Sequence, residues 1–175
     1  MSNILKLLVT AVLMFSSISS LQAADEHKMS MTDIKGKTYK VEGTEQGLKI
    51  EGLEGKIVFL EFFGHKCPPC LKTIPHLKKL QAEHKDKLAI VAIEVQGLTN
   101  SQLKKFAKKK EMNYTVVADE KAEGIVDYIA QRAEWQGSIP FLVAMDRHGN
   151  VQFVQAGMLP ESSLEELIKQ LDTVK

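Results

Sequence analysis

The segment that most constrains this chain is Lys56-Ile57-Val58-Phe59-Leu60-Glu61-Phe62-Phe63, which runs through Gly64-His65-Lys66 into Cys67-Pro68-Pro69-Cys70. Its first part is a near-continuous apolar run rich in strand formers, which predicts a central strand covered on both faces. Gly64 to Lys66 ends the strand. From Cys67 to His84 the positions Cys70, Ile74, Leu77 and Leu80 then recur at helical spacing, with lysines on the other face. Proline just inside the helix start fits, because the N–H it lacks would have no intrahelical partner there.

The rest of the chain repeats the alternation. Leu88 to Val95 reads as a second buried strand, and Ser101 to Lys110 as a helix capped by Asn100 or Ser101. Tyr114 to Ala118 follows as a short strand and Ala122 to Ala133 as a helix. Phe141 to Met145 and Val151 to Ala156 form a hairpin turned at His148-Gly149-Asn150, and Pro160 to Leu171 is a closing helix. Ahead of the central strand, residues 31 to 50 carry short alternating stretches with glycines at the turns, which predict a small hairpin. Alternating strands and helices imply an α/β layer structure. The late hairpin must be antiparallel, so the sheet is mixed.

The first residues are laid out as a secretory leader: one cation within Met1 to Lys6, an apolar run from Leu7 to Phe15, then small residues up to Ala23-Ala24. Cleavage after Ala23 is expected, with retention as an N-terminal membrane anchor as the alternative. Residues 24 to 30 are polar and aperiodic, and read as a disordered connection. Removing the leader takes away Lys6 and no acid, so 22 cations face 22 acids. That balance supplies no sustained basic field for nucleic acid or an anionic membrane surface.

An exported chain has access to structural disulfides, yet this one has only two cysteines, two residues apart. A bridge closing so small a ring removes little chain entropy, so the pair reads as chemical rather than structural. A dithiol exchanges disulfides when one thiol can become an exposed thiolate and a second can displace the mixed disulfide that forms. A helix start favours the thiolate at Cys67 and turns Cys70 back toward the body one turn later. Cys67 is the expected nucleophile and Cys70 the resolving thiol.

Three further positions stand where the thioredoxin superfamily has its markers, and the chain resembles that superfamily through them. Glu61, six residues before Cys67, matches a buried acid that handles the resolving cysteine's proton. Pro75 matches the proline that kinks the first long helix. Ile139-Pro140 matches the cis-proline pair that holds substrate backbone beside the dithiol. The stretch from Gly55 to Cys70 resembles the TlpA/ResA/CcmG-like branch of exported thiol-disulfide oxidoreductases. The resemblance implies a thioredoxin-like fold over residues 31 to 175, with an N-terminal β-hairpin extension and a strand-helix insertion. It also implies Cys67, Cys70 and Glu61 as catalytic residues and Ile139 and Pro140 as substrate-binding ones, with no cofactor beyond the cysteine pair. Implied partners are disulfide-bearing exported proteins, such as apocytochromes c awaiting haem, and a membrane thiol carrier as electron donor. The working unit is expected to be a monomer in the cell envelope, the periplasm if there are two membranes. Lys66 in place of the usual Trp, Phe141 in place of Thr, and Gly137 one place early depart from the branch, and bear on substrate preference.

Neither Pro68 nor Pro69 has an N–H to donate to a Cys67 thiolate, which predicts a reducing couple. His65 and Lys66 act the other way as neighbouring cations. A reading of another class is a Cys₂His₂ metal or copper-delivery site from His65, Cys67, Cys70 and His76. His27, Met29 and Met31 add a short cluster of soft ligands. Trp135 either lines the substrate groove or packs on the core, and the lysines at 104, 105, 108, 109 and 110 form a solvated helix face.

Overall fold

A computed structural model describes residues 27 to 174. The leader assigned to residues 1 to 23 lies outside the described residues. The strands are β1 His27–Thr32, β2 Thr38–Gly43, β3 Leu48–Ile50, β4 Ile57–Phe63, β5 Leu88–Glu94, β6 Thr115–Ala118, β7 Phe141–Met145 and β8 Val151–Ala156. The helices are α1 Pro68–Glu83, α2 Asn100–Lys109, α3 Ile125–Arg132 and α4 Glu161–Asp172. Five strands form the main sheet in the order β6-β5-β4-β7-β8. β4, β5 and β6 are parallel, while β7 runs antiparallel to β4 and β8 antiparallel to β7. This is the mixed sheet of a thioredoxin-like fold. No helix among the described residues is long and apolar enough to cross a membrane.

The alternation of side chains along β4 explains why the whole strand is buried. Ile57, Phe59 and Phe63 point into a core completed by α1, α2 and α4, whereas Val58, Leu60 and Phe62 point into a second core completed by α3 and the N-terminal strands. Glu61 shares the first set's parity, so it lies on the face that carries Cys67, Cys70 and Tyr114.

Two expectations near the N-terminus are corrected. The extension is a three-stranded antiparallel sheet, β1-β2-β3, not a two-stranded hairpin. Its first strand begins at His27, so residues 27 to 30 are paired, with His27 opposite Gly43, rather than part of a disordered connection. The polar residues hid it because only one side of β1 is covered. Met31 is in the core and Met29 packs against it, while alternate positions face outward. The extension is tied to the sheet by the Ile34 N–H, which donates to the Val116 carbonyl at 3.0 Å.

Two helix starts also differ. α2 is capped by Thr99, whose hydroxyl accepts from the Gln102 N–H while the Gln102 side chain accepts from the Thr99 N–H. That is a capping box, and it displaces Asn100 and Ser101 from the cap position. α3 begins at Ile125 rather than Ala122, because Gly124 sits in the left-handed region at φ 73° and interrupts the helical path.

Candidate functional site

The dithiol sits where β4 hands over to α1. Cys67 is the N-cap of α1, and its sulfur accepts from the Cys70 N–H at 3.3 Å. With Pro68 and Pro69 beneath it, Cys70 supplies the amide that reaches this sulfur. The two sulfurs are bonded, with the Cα atoms 5.2 Å apart, so the protein is in its oxidised form. Cys70 is 1% exposed and Cys67 6%, and both Pro68 and Pro69 are exposed. A partner therefore meets the Cys67 end of the pair first.

Opposite the dithiol lies the Ile139-Pro140 bond, which is cis. The Cys67 sulfur is 3.7 Å from the Ile139 carbonyl oxygen. This loop is held from both sides: the Gly157 N–H donates to the Pro140 carbonyl at 2.8 Å, and the Trp135 indole N–H donates to the Ser138 carbonyl at 2.7 Å. Trp135 also stacks on Phe141, with centroids 5.1 Å apart, and tilts against Phe62. Of the two alternatives for Trp135, the structure shows the packed one: its ring lies against the core, and its N–H fixes the loop facing Cys67. Trp135→Phe keeps most of the stack and removes the donor. It is expected to lower stability by about 1 kcal/mol, the usual worth of one such hydrogen bond. An unchanged urea midpoint would assign the loop's position to the stack alone.

The loop before Cys67 is clamped from β5. Glu94, fully buried, accepts from the N–H groups of His65, Gln96 and Leu98, and lies 2.8 Å from His65 Nδ1. Gln96 in turn accepts from the Lys66 N–H at 2.8 Å. Gly64 makes room for that side chain, since a Cβ there would stand 2.2 Å from the Gln96 amide carbon. Glu94 carries in sequence the same signal as Glu61, one acid in an apolar strand, but its role depends on the loop that folds over it.

Glu61 is 4% exposed, and burial pushes its carboxyl from an ordinary 4.5 up to about 8. Across the same face stands Tyr114, 4% exposed. Its hydroxyl is pushed well above its usual range, first by burial and second by the Glu61 charge. In sequence Tyr114 marks only the start of a short strand.

The residues of the metal reading are not brought together. His65 Nδ1 faces Glu94, His76 Nδ1 lies 3.9 Å from Glu161 of α4, and the two sulfurs are bonded to each other. Glu83, His84 and Glu165 do gather, at the far end of α1 from the dithiol. Met31 is buried in the core and the His27 ring rests on Tyr128, so the N-terminal soft ligands serve packing.

Comparison with known proteins agrees with this geometry. The model of the AhpC/TSA family matches residues 20–154. The thiol-disulfide oxidoreductase ResA of Bacillus thuringiensis subsp. konkukian is 30% identical over 144 residues, 81% of this chain and 73% of that protein. ResA of Halalkalibacterium halodurans is 28% identical over 125 residues, 71% of this chain and 67% of that protein. Among solved structures, a thioredoxin-family thiol:disulfide interchange protein from Chlorobium tepidum superposes with a TM-score of 0.64 at 23% identity, covering 82% of this chain and 92% of that one. The chain belongs to the AhpC/TSA family and is a thiol-disulfide oxidoreductase of the ResA-like kind.

Proposed function

We propose that the Cys67/Cys70 pair reduces disulfides in exported client proteins. The observation that carries this reading is the amide count at the Cys67 sulfur: the Cys70 N–H reaches it, and the two residues between have none to offer. A strong oxidant stabilises its thiolate heavily, and two missing donors work against that. The Cys67 thiolate attacks one sulfur of the client disulfide and releases the other as a thiolate. Cys70 gives its proton to the Glu61 carboxylate and attacks Cys67, so that a Cys67–Cys70 bond forms and the second client thiolate leaves. The client gains two electrons and the protein dithiol loses them. A membrane thiol carrier returns the protein to its reduced form. The cis Ile139-Pro140 pair, beside Cys67, holds client backbone during the exchange.

Export by the leader in residues 1 to 23 puts this chemistry in the cell envelope, with residues 31 to 175 as the working domain and a monomer as the working unit. Apocytochromes c, whose haem-binding cysteines must be reduced, are the client class in best accord with the branch that the sequence resembles. The test is the reduction potential. A value near thioredoxin's, about −270 mV, is expected, and one near DsbA's, about −120 mV, would reverse the assigned direction.

A further inference from the structure

Tyr114 lies inside the site's own core, in the cluster that contains Cys67, Cys70, Phe59 and Ala92. Its hydroxyl is buried and has no hydrogen-bond partner among the described residues. A buried phenol normally finds a partner, so an orphan in this place calls for one. Register supplies the candidate. β4 and β5 pair Glu61 with Ala92, and β5 and β6 pair Ala92 with Val116, two residues beyond Tyr114 on the same face. Tyr114, one residue before the Thr115 that pairs with Val91, is level with Ile90 and Phe59, so its phenol meets the Glu61 carboxyl by extending along this shared face past Ala92.

We propose that Tyr114 is a positioning residue for the exchange reaction, its hydroxyl donating to the Glu61 carboxylate, directly or through one water, when Glu61 takes the Cys70 proton. This rests on the reading of Glu61 as that proton's acceptor. Tyr114 then gives the carboxylate a donor that the apolar core otherwise denies it, which lowers the cost of ionising Glu61 and leaves more of it as carboxylate, ready to take the Cys70 proton, at neutral pH. The influence of the Glu61 charge on the Tyr114 hydroxyl is in keeping with that closeness.

The other titratable groups around the pair are accounted for. α1 contributes Cys67 and Cys70 to this core. β5 contributes Glu94, whose oxygens are taken up by His65, Gln96 and Leu98. Lys78, on α1 near Asn113, turns its amine outward to the Lys110 carbonyl and to Glu111. α2 and α4 present Leu103, Ala107, Leu164, Leu167, Ile168 and Leu171.

The test uses the full chain, reduced and mixed with an aromatic disulfide across a range of pH. One aromatic thiolate is released when Cys67 attacks and a second when Cys70 resolves. In Tyr114→Phe the pH limb of the second release should move up by about one unit, so that its rate at pH 7 falls about tenfold, while the first release is unchanged. Stability at pH 5, where Glu61 is neutral, should be equal to or above that of the wild type, because an orphaned hydroxyl is removed. A second release that superimposes on the wild type's overturns the proposal, as does a loss of stability at pH 5, which would make the hydroxyl a structural donor. Glu61→Gln separates the two readings. If it abolishes the limb while Tyr114→Phe does not move it, Glu61 keeps its role and Tyr114 loses its own. If the limb survives in Glu61→Gln, the reading of Glu61 falls and the proposal with it.

Discussion

Cys70→Ser is expected to turn the protein into a trap, with its client held on Cys67 as a mixed disulfide and multiple turnover reduced on the order of 10³-fold or more. The magnitude follows from proximity. Cys70 reaches the Cys67 sulfur within one turn of α1, with the two Cα atoms 5.2 Å apart. A thiol so placed has an effective concentration far above the millimolar level of a thiol in solution, and a serine hydroxyl does not replace it. Burial points to which cysteine traps: Cys70 is 1% exposed beneath Cys67, whose sulfur also faces the Ile139 carbonyl. Non-reducing electrophoresis and mass spectrometry of the adducts check the result. Adducts on Cys67→Ser in place of Cys70→Ser would exchange the two roles, and no adduct on either would remove the exchange mechanism.

The second large effect is in stability. Glu61 releases its proton at about 8 in the folded, oxidised protein and at 4.5 without burial. Between those values the folded state holds one proton more than the unfolded state. Stability therefore falls as pH rises from about 4.5 to about 8, by on the order of 5 kcal/mol across the whole window. Below it both states are protonated and the difference vanishes. Glu61→Gln has no charge to bury, so its stability should be flat relative to wild type below the window and should gain on it steadily within it. Urea unfolding of the two oxidised proteins at several pH values measures this. Parallel curves from pH 5 to pH 8 would show that Glu61 ionises in the folded state without cost, and it would then not be the buried acid described.

The legible parts of this protein are those where one short segment decides its own structure. β4 and β5 could be read because strands covered on both faces must be apolar at every position. Glu61 stood out against that background. The dithiol was legible because two cysteines so close in sequence, at a strand-to-helix junction, have little structural use. What escaped depends on partners far along the chain. β1 is a strand because β2 pairs with it and because Met31 meets the core, and neither fact is written in His27 to Ser30. Glu94 matters because the loop before Cys67 folds over it, and Tyr114 because the pairing of β6 with β5 puts it in the core that holds the dithiol. The Thr99 cap was within reach, since Thr99-Asn100-Ser101-Gln102 carries the capping-box spacing.

β4 is hydrogen-bonded on one side to β5 and on the other to β7, and is covered on both faces. Amides in such a strand exchange with solvent only when the whole domain opens, while edge strands such as β8 exchange through smaller local openings. Glu61 is part of that strand, and the loop carrying Cys67 departs directly from its end. The reactive pair is thus mounted at the end of a strand whose amides, with those of β5, are expected to exchange most slowly, so the Cys67 thiolate is presented from a part of the molecule that opens only with the whole domain.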